Sequence, residues 1–239
     1  ASAADLVPQT LIASLAVGSS PGIAVSPKGD MLAMSSSVNN CAYGKFPVAV
    51  ALPAPTLATE SFVVGDGTAA FKGGTRGVAQ INGPSAVAFD TLSTDLIVAD
   101  YGAHKVHAYQ VTPIIPTAAP SPPALGAPTW KAGLQGTQGT ADGAVGVAQL
   151  TNPMCLSVDP TTGDMLFTEG HRLRKFDRAG TVSFVAGQSL TTGFNDATGA
   201  AALFNIPQAI FSVIDIIVYK VGRNAEAAAL YGGVGVVDQ

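Results

Sequence analysis

The tetrapeptide Gly-Val-Ala-Gln stands twice in this chain, at Gly77–Gln80 and Gly146–Gln149, and each copy runs into a proline, Pro84 and Pro153. A recurrence of this kind constrains the fold more than any single residue does. A repeat is one supersecondary unit that cannot bury its faces alone, so copies must stack. The best-preserved copy is Asn152–Gly187. In it three short strand-like runs, Cys155–Val158, Met165–Thr168 and Leu173–Phe176, are followed by a fourth, Thr181–Val185. Asp159–Asp164 and Asp177–Gly180 are rich in Asp, Gly, Thr and Pro, the chemistry of chain reversal between strands. The unit therefore reads as four antiparallel strands.

Looser copies lie on either side. Pro21–Val25, the turn Ser26–Asp30 and Met31–Ser35 repeat the order proline, strand, polar turn, strand. The second copy has Gly83–Asp90, the turn Thr91–Thr94, the strand Asp95–Asp100, and a return through Tyr101–Tyr109. A fourth begins near Phe184 and reaches Pro207, so the marker prolines are Pro21, Pro84, Pro153 and Pro207. Their unequal spacing is expected from loops of different length. The longest interval contains the Pro/Ala-rich segment at 112–129, which reads as an extended surface loop. Ser36–Lys45 reads as a polar loop, Phe46–Leu52 as an edge strand because of Pro47, and Leu11–Val17 as a buried strand. Gln208–Tyr219 keeps β-branched character but lacks the Gly-Asp turn. Beyond it the segment at 221–239 is atypical, with Asn224–Leu230 resembling a short capped helix.

One domain over 1–239 is expected, with repeats at about 21–60, 61–111, 130–183 and 184–220. At 47% hydrophobic and 12% charged residues the composition is the opposite of a disordered chain. A net charge of −4 without a basic run disfavours nucleic acid. No apolar run is long enough for a membrane helix. Cys41 and Cys155 could pair, but two buried free thiols are the favoured reading. The first residues do not read as a charged-then-apolar leader.

The order of proline, strand, turn, strand ending in an acid, turn, strand and Ala-Gly resembles NHL-repeat β-propellers. The matching residues are Asp142-Gly143, Ala148, Leu150, Asn152-Pro153, Asp159, Glu169, His171, Leu173, Phe176, Gly180 and Ala186-Gly187. Asn82, Pro84, Asp90, Asp100, His104, Val106 and Tyr109 match in the second copy, and Phe204–Pro207 in the fourth. The resemblance implies an all-β propeller of the six-bladed type. Since three or four copies are legible, the ring is either incomplete or filled by divergent terminal blades. An incomplete ring would expose sheet edges and invite self-association.

Four acids recur at strand ends: Asp90 and Asp159 after the first strand, Asp100 and Glu169 after the second. In a propeller such carboxylates could gather around calcium or zinc; recurrence favours the alternative, that they accept N–H bonds within turns. His104 and His171 share one repeat position, which assigns them to bracing a turn. The His104/His107 spacing of three is a weak metal signal on a strand, since it turns the rings to opposite faces. Trp130 reads as a blade-packing residue that, if exposed, would anchor a partner. No nucleophile elbow, phosphate loop or paired-cysteine motif occurs.

The leading functional expectation is a non-enzymatic scaffold for a protein, peptide or glycan, with no cofactor evident. Two alternatives stand beside it. One is a metal-dependent hydrolase or lyase of the gluconolactonase-like or amidating-lyase-like kind. The other is a structural segment of a larger extracellular sensor. An extracellular or secretory setting is favoured.

Overall fold

A computed structural model of the chain describes residues 22–25, 31–36, 40–45, 62–64, 68–70, 79–93, 95–110, 129–134, 137–213 and 216–220. The expected elements at 11–17, 46–52, 112–128 and 221–239 lie outside the described residues. What is described is all-β apart from one 3₁₀ turn, Gly199–Ala201. The first sheet is β1 (Ile23–Val25), β2 (Met31–Ser36), β3 (Asn40–Lys45) and β4 (Phe62–Val64). The second is β5 (Pro84–Phe89), β6 (Leu96–Asp100), β7 (Lys105–Tyr109) and β8 (Thr129–Ala132). After the two-residue β9 (Gly143–Ala144) come β10 (Pro153–Val158), β11 (Met165–Glu169), β12 (Arg172–Phe176) and β13 (Thr181–Gly187), with β9 on the outer edge of β13. The hairpin β14 (Ala209–Val213) and β15 (Ile216–Lys220) follows. Within each sheet the strands are antiparallel and, apart from β9, in chain order, the meander of a propeller blade.

The blades stack through their first strands. β5 lies against β1 and β2 on one side and β10 on the other, and β10 in turn lies against β14. This stacking explains the uninterrupted apolar runs in β6 and β11, which are buried at every position. Leu96 and Val98 face the first blade together with Val87, Phe89 and Tyr109. Ile97 and Ala99, one residue out of phase, face the third. A period of two with both faces covered gives a continuous apolar strand. Between blades two and three the surfaces are complementary in size. Ala86, Ala99, Ala108 and Ala132 meet Leu156, Met165, Phe167 and Phe176, so small residues on one sheet make room for large ones on the next. Leu166 and Leu173 point the other way, to Ile210.

Strand assignments differ from expectation in three places. Ser36–Lys45, expected to be a polar loop, is a strand over Asn40–Lys45 paired along its length with β2. Its polar composition reflects tertiary pairing overriding propensity. Phe62–Val64 and Thr129–Ala132 are the fourth strands of blades one and two, paired with β3 and β7. Each closing strand thus lies beyond the expected end of its repeat, and blade two reaches across the Pro/Ala-rich segment to collect β8.

Candidate functional site

Strand register sorts the candidate residues onto two rims. In blade two Pro84 sits opposite Asp100 and Phe89 opposite Leu96; in blade three Pro153 sits opposite Glu169 and Val158 opposite Met165. Asp90 and Asp159 therefore lie on one rim, here the lower, and Asp100 and Glu169 on the upper. The two rims are roughly 15 Å apart for strands of this length. The four acids expected as a metal set do not come together. Among the described residues no group of three or more His, Cys, Asp and Glu side chains is placed to hold a metal ion.

On the lower rim Asp159 accepts the backbone N–H groups of Thr161 and Thr162 at 2.7 and 3.0 Å. Asp90 does the same with Leu92 at 3.0 Å and also accepts the Ser93 hydroxyl at 2.8 Å. Arg178 from the third blade adds an ion pair, its Nη2 donating to both oxygens of Asp90 at 2.8 and 3.0 Å. Burial alone would raise the Asp90 carboxyl. The Leu92 N–H, the Ser93 hydroxyl, the Arg178 charge and the Ser93 N–H outweigh it and hold Asp90 below the usual carboxylate range. The guanidinium crosses Gly163, whose φ of +71° and lack of Cβ leave the space it occupies.

On the upper rim the acids meet bases of their own blade. Glu169 is buried and accepts from Arg172 Nε at 2.7 Å, Arg174 Nη1 at 3.1 Å and the Thr151 N–H at 3.0 Å. Arg174, fully buried, reaches on to the carbonyls of Gln149 and Ala141 and to Asp142, at 2.7, 2.7 and 2.6 Å. It thereby pins the Gly-Val-Ala-Gln segment against its blade. In blade two the same positions carry Asp100, Lys105 and His107. Asp100 accepts the Asn82 N–H at 2.9 Å, and its other oxygen lies 3.3 Å from His107 Nε2. Burial holds the Lys105 ammonium below its usual pKa, partly offset by Asp100.

Sequence reasoning overlooked these bases. The available signal was a base-apolar-base triplet, Lys105-Val106-His107 and Arg172-Leu173-Arg174, recurring beside an acid. A positive charge on a strand covered on both faces must find a counter-charge nearby. His107 is buried in β7 rather than poised with His104, which sits in the β6–β7 turn at φ +56°.

His104 and His171 act on the next blade. His104 Nδ1 accepts the Asn152 N–H at 3.2 Å, and His171 Nδ1 accepts the Ile206 N–H at 3.2 Å. Both donors immediately precede a blade-entry proline and have positive φ, +49° and +51°, as does Gly83 at +67°. The Asn152 amide also donates to the Tyr101 carbonyl at 3.0 Å. The same rim presents Tyr101, Leu190 and Ile206 to solvent, with Leu190 94% exposed. Trp130 lies opposite His107 in β8, and its side chain lies outside the described residues. Cys155 is a free, half-buried thiol that contacts the Gln208 carbonyl of the fourth blade; burial raises its pKa, partly offset by Thr168.

No protein-family model matches the chain, and no curated protein sequence is significantly similar to it. Solved structures share its fold, two of them with TM-scores above 0.5. A structural genomics protein of unknown function from Bacteroides thetaiotaomicron is 21% identical with a TM-score of 0.55, over 82% of this chain and 42% of that one. An auxiliary nutrient binding protein from Bacteroides ovatus is 18% identical with a TM-score of 0.53, over 80% and 42%. The β-propeller domain of Myceliophteria thermophila Cps50 gives 10% identity and a TM-score of 0.44, over 80% and 44%. The chain spans about two fifths of the length of the two Bacteroides proteins.

Proposed function

We propose that the chain is a non-catalytic recognition scaffold of the NHL-like, six-bladed propeller kind, taking a protein, peptide or glycan on its upper rim. The observation that carries this reading is the spending of the buried charges. Asp100 and Glu169, the acids nearest that rim, are consumed by bases and backbone N–H groups of their own blades. What the rim offers a partner is Tyr101, Leu190 and Ile206, aromatic and aliphatic surface set among polar turns, the composition that anchors interfaces. The name of the Bacteroides ovatus protein, an auxiliary nutrient binding protein, is compatible with a binding role for this fold. A second reading stands alongside it, a structural segment of a larger extracellular sensor; the two-fifths span is compatible with a larger protein and bears on nothing else in that reading.

Probing peptide and glycan arrays with the purified chain tests the proposal. The expected result is saturable binding that the double variant Tyr101→Ala, Leu190→Asp weakens about tenfold or more, the cost of a hot spot. An array without binding, together with metal-dependent turnover of a lactone or a peptide substrate, would overturn it in favour of the calcium or zinc enzyme.

A further inference from the structure

Two consecutive blade junctions are each fastened by an imidazole nitrogen that must carry no proton. We propose that His104 and His171 form an acid-sensitive lock between blades, released when Nδ1 is protonated while the blades themselves stay folded.

The geometry requires the neutral ring. Nδ1 can accept the N–H of Asn152 or Ile206 only as the Nε2–H tautomer. Protonation turns that acceptor into a donor facing a donor. Both histidines are half-buried residues of exposed-rim turns. The ionisable neighbours of His104 are Asp100 and Lys105 in its own blade and, across the junction, Glu169, which holds the N–H of Thr151. His171 stands in the turn between Glu169 and Arg172 of its own blade.

The hydrogen bond holds something that would otherwise relax. A residue before proline favours extended backbone, yet Asn152 and Ile206 are left-handed. Asn tolerates that region and Asn152 has a second tie to Tyr101. Ile206 is β-branched, for which positive φ is a real strain. The blade two–three junction also keeps contacts that histidine protonation does not touch: the Ser85 hydroxyl donating to Pro153 O at 2.8 Å, and Arg178 on Asp90. The junction between blades three and four has Cys155 on the Gln208 carbonyl and the Leu166–Leu173–Ile210 cluster but, among the described residues, no ion pair. Among the described contacts it is therefore the more dependent on its histidine and the first to loosen.

Amide hydrogen exchange at Asn152 and Ile206, corrected for intrinsic rates, reads both locks directly. Between about pH 7.5 and about pH 5, protection in the wild-type chain should fall about fivefold or more, the loss of one hydrogen bond. Ile206 should lose more than Asn152, and Phe167 in β11 should be unchanged. In His104→Asn and His171→Asn the amide oxygen takes the place of Nδ1 and does not titrate, so protection should no longer depend on pH. Equal wild-type protection at both pH values would overturn the lock, and so would an equal acid loss in the asparagine variants, which would assign the effect to the carboxylates. Imidazole nitrogen shifts of the wild-type chain give a check that needs no variant: a Nδ1–H tautomer at about pH 7.5 would equally refute it.

Discussion

At the scale of single residues, two acids of similar appearance in the sequence have different weight. Asp159 caps a turn in which it is served by two backbone N–H groups, and Asp159→Ala should cost about 1 kcal/mol. Glu169 is the counter-charge of two buried guanidinium groups. Glu169→Ala leaves Arg172 without its carboxylate and Arg174 with Asp142 alone, and should cost about 3–5 kcal/mol in denaturant unfolding. Equal costs for the two would contradict the assignment. The strain at Ile206 gives a prediction of opposite sign. Ile206→Asn matches the residue at Asn152, removes a β-branched left-handed residue and sacrifices little burial, since Ile206 is 42% exposed. It should stabilise by about 1 kcal/mol in the same assay. Cys155 should alkylate more slowly in the folded chain than in urea at about pH 8, because burial raises its thiol.

At the scale of elements, the exit of each blade explains a motif that the sequence shows only as a pattern. Ala132-Gly133 and Ala186-Gly187 end β8 and β13, and both glycines have positive φ, +95° and +91°. A Cβ there would collide with the carbonyl oxygen of His104 or His171, so the exit glycine and the bracing histidine belong to one device. Gly187→Ala should therefore destabilise by more than about 1 kcal/mol. The Asp90–Arg178 pair joins blades two and three, and its pH dependence has a definite sign. With a folded pKa below the unfolded value of about 3.9, Asp90 contributes stability above that value and loses it as pH falls through the lowered one. The gap in stability between wild type and Asp90→Asn should narrow on acidification. A gap that widened would place the carboxyl on the other side of its usual range.

Strands of the middle blades were legible because both of their faces are buried and their turns carry Asp, Gly and Pro. The expected runs Met165–Thr168 and Leu173–Phe176 agree with β11 and β12 to within a residue. Strands that owe their existence to a partner were not legible. The sequence Asn-Cys-Ala-Tyr-Gly-Lys of β3 has little propensity of its own, and β4 and β8 pair across long connections. The bracing role of His104 and His171 could be read from their recurrence. That each reaches into the following blade could not, because the donor lies 48 residues further on in one case and 35 in the other.

At the scale of the whole molecule, the described sheets form an all-β stack in which each blade's first strand supports the next. The buried polar groups of the upper rim serve that stack, which leaves the exposed surface of the same rim as the proposed place of recognition. The central claim is that binding and stability are separable there. Its most direct test measures array-identified ligand affinity for three chains: wild type, the upper-rim variant Tyr101→Ala with Leu190→Asp, and the lower-rim variant Leu92→Asp. Leu92, like the other two, is exposed. The account predicts that the upper-rim variant unfolds at the same denaturant concentration as wild type but binds about tenfold or more weakly, while the lower-rim variant binds as wild type does. Loss of affinity in the lower-rim variant alone, or undiminished binding in both, would contradict it.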